Sequence, residues 1–229
     1  MDDNMMGEVA SDVVESKSEV KDFQKIKPEE NMSVNEAKSF WNDLFSNEIT
    51  NVMEAETEQE NPHQEVIDGE TYYYDDNGDL YRVGNELLPN SQYELNGYTY
   101  NTDEMGRIVS TEGTLHMKDR DGRLTIRDSI EDIGKGDQKE GDDRGHLIGD
   151  QFDGSNGLEN MVPQDANINR NAFRNFENEL AKEVKDGKEV KVKVEPIYEG
   201  DSRRPSAIVA TCSIDGEESV SFFPNSQEE

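Results

Sequence analysis

The chain has 229 residues, which at ~150 residues per domain fits one domain with an appendage. It carries 53 Asp and Glu against 23 Lys and Arg, a formal net charge of −30, with 31% hydrophobic residues and a mean hydropathy of −0.98. No run of ~18 apolar residues is present, so no membrane insertion is expected. A lone cysteine, Cys212, excludes an internal disulfide, and with three histidines it excludes a Cys/His zinc module. A polyanion of this kind is expected to repel nucleic acid at long range.

Residues 1–66 hold 17 acids and 5 lysines, a net charge of −12, and so few apolar residues that the segment reads mostly as a disordered tail. Ser33 and Glu36 form a capping-box pattern. Ala37, Phe40, Trp41, Leu44, Phe45, Ile49, Val52 and Met53 then recur at helical spacing, which predicts an amphipathic helix over about 34–53. Its apolar face needs a cover, either the main domain or a partner. Glu54 to Gln64 reads as a linker. The expected organisation is an acidic tail over 1–66 and a folded domain over 67–229, the latter still at a net −18.

From Glu70 the pattern turns to β. Tyr72 to Tyr81 reads as two short strands around Asn77-Gly78, and Tyr98 to Ile108 repeats the theme. Two such hairpins do not make a repeat protein. Residues 111–150 carry further turn signals, Asp121-Gly122 among them, with short candidate strands between. From Pro163 to Val184 the pattern is helical, with Phe173, Phe176, Leu180 and Val184 in one stripe. Lys182 and Lys185 suit the C-terminal end of the dipole, and Gly187 the residue beyond it. Val190, Val192 and Val194 alternate with lysines as a strand, and Ala207 to Ile214 and Val220 to Phe223 supply two more. The fold class is α+β.

Of the histidines, His63 lies in the polar tail and His116 between Leu115 and Met117, where a structural role suffices. His146 has different company, Asp142-Asp143-Arg144-Gly145-His146. Downstream come Asn160-Met161-Val162-Pro163-Gln164, then Asn167, Asn169, Phe173 and Glu177. At ~100° per residue, Asn169 and Glu177 differ by about 80° around a helix, so both can face one cleft. Asn167, Asn169, Asn171 and Asn175 are poor helix formers, and amide oxygens ligating a hard divalent cation would compensate.

This stretch resembles the DNA/RNA non-specific endonucleases of the ββα-metal superfamily. Their pattern is Asp-Arg-Gly-His on a strand, an Asn-x-x-Pro-Gln segment, and a helix carrying an Asn and a Glu. Asp143-Arg144-Gly145-His146, Asn160-Met161-Val162-Pro163-Gln164, Asn169 and Glu177 match it over roughly residues 85–225. The likeness is to the bacterial branch of toxin and secreted nuclease domains. It implies a ββα-metal core with a mixed or antiparallel sheet, hydrolysing phosphodiesters of DNA or RNA to leave a 5′-phosphate. His146 would be the general base, and Asn169 the direct ligand of a Mg²⁺ ion, with Mn²⁺ as an alternative. Glu177 would accept hydrogen bonds from metal-bound water, Arg144 would hold the phosphate, and Asn160 would support the site. An upstream arginine is also implied, with Arg120, Arg123 and Arg127 as candidates. Asp143 reads as a structural partner.

The charge asks for reconciliation. Arg120, Arg123, Arg127, Arg144, Arg170, Arg174, Arg203 and Arg204 are candidates to line a groove while acids occupy the back. The acidic surroundings would favour Mg²⁺ and protonated His146 and move the pH optimum upward. The competing reading is a catalytically silent acidic binding protein, a nucleic-acid mimic or immunity-type partner. Met1-Asp2-Asp3-Asn4 lacks the basic and apolar regions of a secretory signal. A toxin domain would be secreted or delivered to other cells and paired with an inhibitor protein; otherwise the expectation is cytoplasmic. Oligomeric state stays open.

Overall fold

Both tyrosine-rich hairpins foreseen in the sequence form. The computed structural model describes residues 64–226, so the helix expected at about 34–53 and His63 lie outside the described residues. Strands β1 (Gln64–Ile67), β2 (Glu70–Tyr74), β3 (Leu80–Val83) and β4 (Glu86–Leu87) make a four-stranded sheet in that order. β1 crosses the boundary expected at 66/67. Asp75 Oδ1 closes the β2–β3 loop by accepting from the N–H groups of Asn77 and Asp79, both at 2.9 Å. Asp103 does the same for Met105 and Arg107, also at 2.9 Å. Gly78 and Gly106 take positive φ, 82° and 72°, three residues after each aspartate, a conformation that favours glycine.

The second hairpin belongs to a six-stranded sheet. It contains β5 (Gln92–Leu95), β6 (Tyr98–Thr102), β7 (Ile108–Thr114), and three later strands. These are β10 (Val190–Ile197), β11 (Ala207–Ile214) and β12 (Glu217–Pro224), in the order β12-β11-β10-β7-β6-β5. Strands β8 (Asp142–His146) and β9 (Met161–Asp165) form a separate pair. Every strand pair among the described residues is antiparallel. No described helix is long and apolar enough to cross a membrane.

Alternation puts Tyr93, Tyr98 and Tyr100 on the buried face. Tyr81 stacks on Tyr93 with centroids 4.7 Å apart, and Tyr93 on Tyr100 at 5.1 Å, each pair worth about 1 kcal/mol beyond area burial. Two hydroxyls reach out of this core to hold loops. Tyr93 donates to Glu159 O at 2.8 Å and Tyr98 to Phe152 O at 2.7 Å. Cys212 is buried in β11. His116 lies just past β7, stacked on Tyr98 at 5.3 Å.

Two helical findings differ from expectation. A short helix α1 (Ile130–Gly134) follows Ser129, whose side chain accepts from Asp132 N–H at 3.1 Å in a capping box. The segment from Pro163 does not start as helix, because Pro163 sits within β9, opposite Arg144. A two-stranded pair has an open edge on each strand, where a residue without N–H is tolerated. The turn into helix comes at Asp165, whose Oδ1 accepts from Asn167 and Ile168 N–H at 3.0 and 3.1 Å. A π-helical turn, Ile168–Phe173, then leads into α2 (Arg174–Lys185). Phe173 and Phe176 pack edge-on against Phe223 of β12 at 5.1 and 5.5 Å, which fixes the helix against the large sheet.

Candidate active site

β8, β9 and the π–α2 helix bring the motif residues into one region. The glycine of Asp143-Arg144-Gly145-His146 is required by packing. A Cβ there would overlap the side chain of Gln164, which is fully buried on the partner strand. His146 ends β8 and is 8% exposed. Burial holds its imidazole down to about 4, helped by the charges of Arg123 and Arg144 and opposed by Asp150. The expectation that the acidic chain would favour protonated His146 is therefore corrected. Desolvation and two nearby guanidiniums outweigh a net charge spread over the whole surface.

Asp143 accepts from Asn169 Nδ2 at 2.9 Å and from Arg170 Nε and Nη2 at 2.8 and 2.6 Å. Burial pushes its carboxyl up, but these hydrogen bonds and the charges of Arg170 and Arg123 bring it below the ordinary range. The contact anchors the Asn169 amide through its nitrogen and leaves the oxygen as the ligand-capable atom. The asparagine-rich helix start is compensated by protein contacts too, since Asn171 Nδ2 donates to Asn167 Oδ1 at 2.6 Å.

Glu177 lies against Gly149. A Cβ on that glycine would overlap its carboxylate, and Gly149 N–H donates to it. Burial pushes the carboxyl up to about 8 against the pull of Arg123 and that N–H. The π-helical turn matters for this placement. Such a turn accommodates about one extra residue, so the angle between Asn169 and Glu177 falls from about 80° to roughly 20°.

Asn160 is fully buried. Its Oδ1 accepts from Ile148 N–H at 2.9 Å, while Nδ2 donates to Ile148 O and Ser155 O, both at 2.8 Å. Its carbonyl accepts from Leu147 N–H at 2.9 Å. With the amide so committed, Asn160 clamps the backbone that follows His146, a supporting position away from the reacting atoms. Arg144 is exposed and donates through Nη1 to Asp128 O at 3.0 Å.

The three upstream arginines separate clearly. Arg120 pairs with Asp150 at 2.8 Å and Asp153 at 3.2 Å, and Arg127 pairs with Glu159. Arg123 is exposed, forms no side-chain hydrogen bond or ion pair with the described residues, and its charge bears on His146, Asp143 and Glu177 together. Its loop is tethered by Asp150, which accepts from Lys118 at 2.6 Å, from Arg120 and from Leu124 N–H at 3.2 Å. Burial opposes ionisation of Asp150, yet these bonds bring it to about 2. Arg204 leaves the expected groove, because it is buried and grips Asp142 at 2.7 and 2.8 Å. What sequence reasoning missed is a buried charge network of Arg82, Asp128 and Glu159, whose members are far apart in the chain and carry no local signal.

Among the described residues no three His, Cys, Asp or Glu side chains cluster to hold a metal. The donor set at hand is one amide oxygen, from Asn169, with the Glu177 carboxylate. That fits a hard ion that keeps most of its water better than a tetrahedral zinc site.

Residues 89–216 match the family model described as DNA/RNA non-specific endonuclease. The type VII secretion system protein EssD of Staphylococcus aureus, in strains USA300, NCTC 8325 and Newman, is 34% identical over 143 residues. That alignment covers 59% of this chain and 23% of EssD, so the chain matches under a quarter of its relative's length. A solved structure of the Sda1 nuclease with bound zinc ion aligns at 16% identity and a TM-score of 0.44, covering 56% of this chain and 75% of that one.

Proposed function

The chain belongs to the DNA/RNA non-specific endonuclease family, and from that premise we propose that its folded domain hydrolyses phosphodiester bonds of DNA or RNA with His146 as general base. The observation that carries this reading is geometric: β8 carries Asp143 and His146, the π–α2 helix carries Asn169 and Glu177, and Asp143 joins the two by accepting from Asn169 Nδ2 at 2.9 Å. His146 is neutral at pH 7 and able to take a proton from an attacking water. Arg144 and Arg123 bind the phosphate and offset its charge. Asn169 would hold a divalent cation through its amide oxygen, Mg²⁺ by its preference for oxygen and water, and Glu177 would accept hydrogen bonds from water on that ion. When bound, the cation would supply charge stabilisation at the phosphate and the leaving oxygen. Asp143 keeps Asn169 aimed by accepting from its Nδ2 at 2.9 Å. Contacts to the backbone rather than to base edges make cleavage indifferent to sequence.

The likeness to a type VII secretion system protein supports a domain that is exported, and such a nuclease calls for an inhibitor protein in the producing cell. The reading is tested by titrating Mg²⁺ and Mn²⁺ against DNA and RNA cleavage by wild type and Asn169→Ala. The variant should need far more metal or lose activity, and products should carry 5′-phosphates. An unchanged metal titration would remove Asn169 as the ligand.

A further inference from the structure

Arg82 lies on β3, in the sheet that precedes the family-matched residues 89–216. Its guanidinium, 2% exposed, bridges two buried carboxylates. Nη1 donates to Asp128 Oδ2 and Glu159 Oε2, both at 3.0 Å, and Nη2 donates to Asp128 Oδ1 at 2.5 Å. Nε donates to Gly84 O at 2.7 Å. Asp128 and Glu159 are 7% and 0% exposed, so each needs a counter-charge where it sits. Arg127, 43% exposed, reaches Glu159, whereas Arg82 reaches both.

Asp128 is the link to the site. Its carboxylate accepts from Leu158 N–H at 2.7 Å, and its carbonyl accepts from Arg144 Nη1 at 3.0 Å. The residue that anchors Arg144 is thus itself held from three directions, two of them supplied by Arg82. We propose that Arg82 is a positioning residue for phosphodiester cleavage: by fixing Asp128 it sets the guanidinium of Arg144 at the phosphate. The inference rests on the nuclease reading above. It assigns the N-terminal sheet a part in the reaction that lies outside the family-matched residues. A planar fork is needed for the task, because a lysine ammonium is a point charge and does not hold several oxygens in one plane.

The test uses the full chain and supercoiled plasmid DNA. kcat, KM and melting temperature are measured for wild type, Arg82→Lys, Arg144→Ala and the double variant. Arg82→Lys should remain folded at the assay temperature and lower kcat about 10- to 100-fold while KM moves less than about threefold, the signature of an interaction realised in the transition state. The double variant should be no slower than Arg144→Ala alone, since contacts acting through one group are not additive. Multiplying effects, or a wild-type kcat in Arg82→Lys, would overturn the proposal. If Arg82→Lys does not fold, Asp128→Asn is put through the same cycle, and additivity with Arg144→Ala overturns it equally. Failure of the nuclease reading shows separately, as wild type that cleaves neither DNA nor RNA, and removes this inference with it.

Discussion

The tyrosine face of the large sheet and the hairpin–helix region beside it are held by different forces. Tyr93, Tyr98 and Tyr100 are buried by alternation and stacking, and few charges enter. Around β8 and β9, Arg82, Asp128, Glu159 and Arg204 are all buried, and backbone groups are pinned by Asn160 and by Asn225, whose Nδ2 donates to Pro163 O at 2.9 Å. The difference teaches where rigidity is bought with charge: an apolar face tolerates loss of a contact, whereas a paired buried ion does not tolerate loss of its partner.

Breaking the pairing should therefore have the largest effect on stability. Arg82→Met leaves Asp128 and Glu159 without their shared cation and should cost about 3–5 kcal/mol, read by denaturant unfolding. A pH series sharpens the same contrast. His146 has a folded pKa of about 4 against an ordinary 6.5, so the unfolded chain binds a proton that the folded chain refuses between those values. Stability should fall as pH drops through that window, by up to about 3 kcal/mol, and His146→Gln should flatten the decline. Glu177 works with the opposite sign, its folded pKa of about 8 lying above an ordinary 4.5. Metal-free protein should lose stability as pH rises through 4.5 to 8, and Glu177→Gln should remove that loss.

Smaller effects divide the arginines and the sheet. Arg123→Ala should reduce cleavage about 10- to 100-fold, the worth of one charge-assisted contact, with the melting temperature unchanged. Arg120→Ala should lower the melting temperature as well, because it releases Asp150 and Asp153. Tyr93→Phe removes one hydrogen bond to Glu159 O and keeps both ring stacks, so about 1 kcal/mol is expected in unfolding and little change in turnover. Val220→Thr, on a strand face where Val220 is 67% exposed, should stay within about 0.5 kcal/mol.

The sheet was the more legible of the two regions. Ala207 to Ile214 is read as a strand with its observed ends, and the hairpin around Asn77-Gly78 and its repeat over Tyr98 to Ile108 are read in place too, because these signals are local. The candidate site was legible as a spaced pattern, Asp143 to His146, Asn160 to Gln164, Asn169 and Glu177, which the structure brings into one region. Its protonation was not, because the environment of His146 is set by burial and by Arg123 and Arg144 rather than by overall charge. Helical periodicity from Pro163 does not mark the helix start, because Pro163 pairs within β9, and the short helix after Ser129 is announced by its capping box with Asp132 rather than by periodicity. Arg82, 46 residues from Asp128 and 77 from Glu159, leaves no trace in sequence spacing.

If this acidic chain cuts nucleic acid with His146 as its base, nicking of supercoiled plasmid by wild type and by folded His146→Ala, each with and without Mg²⁺, will show it. Wild type should nick in a metal-dependent way, flat in rate from about pH 6 upward as far as His146 controls it, and the variant should lose about 10²- to 10⁴-fold. Equal nicking by the two proteins would contradict the assignment of the base. No nicking by folded wild type with any divalent ion would contradict the nuclease reading and favour an acidic binding protein.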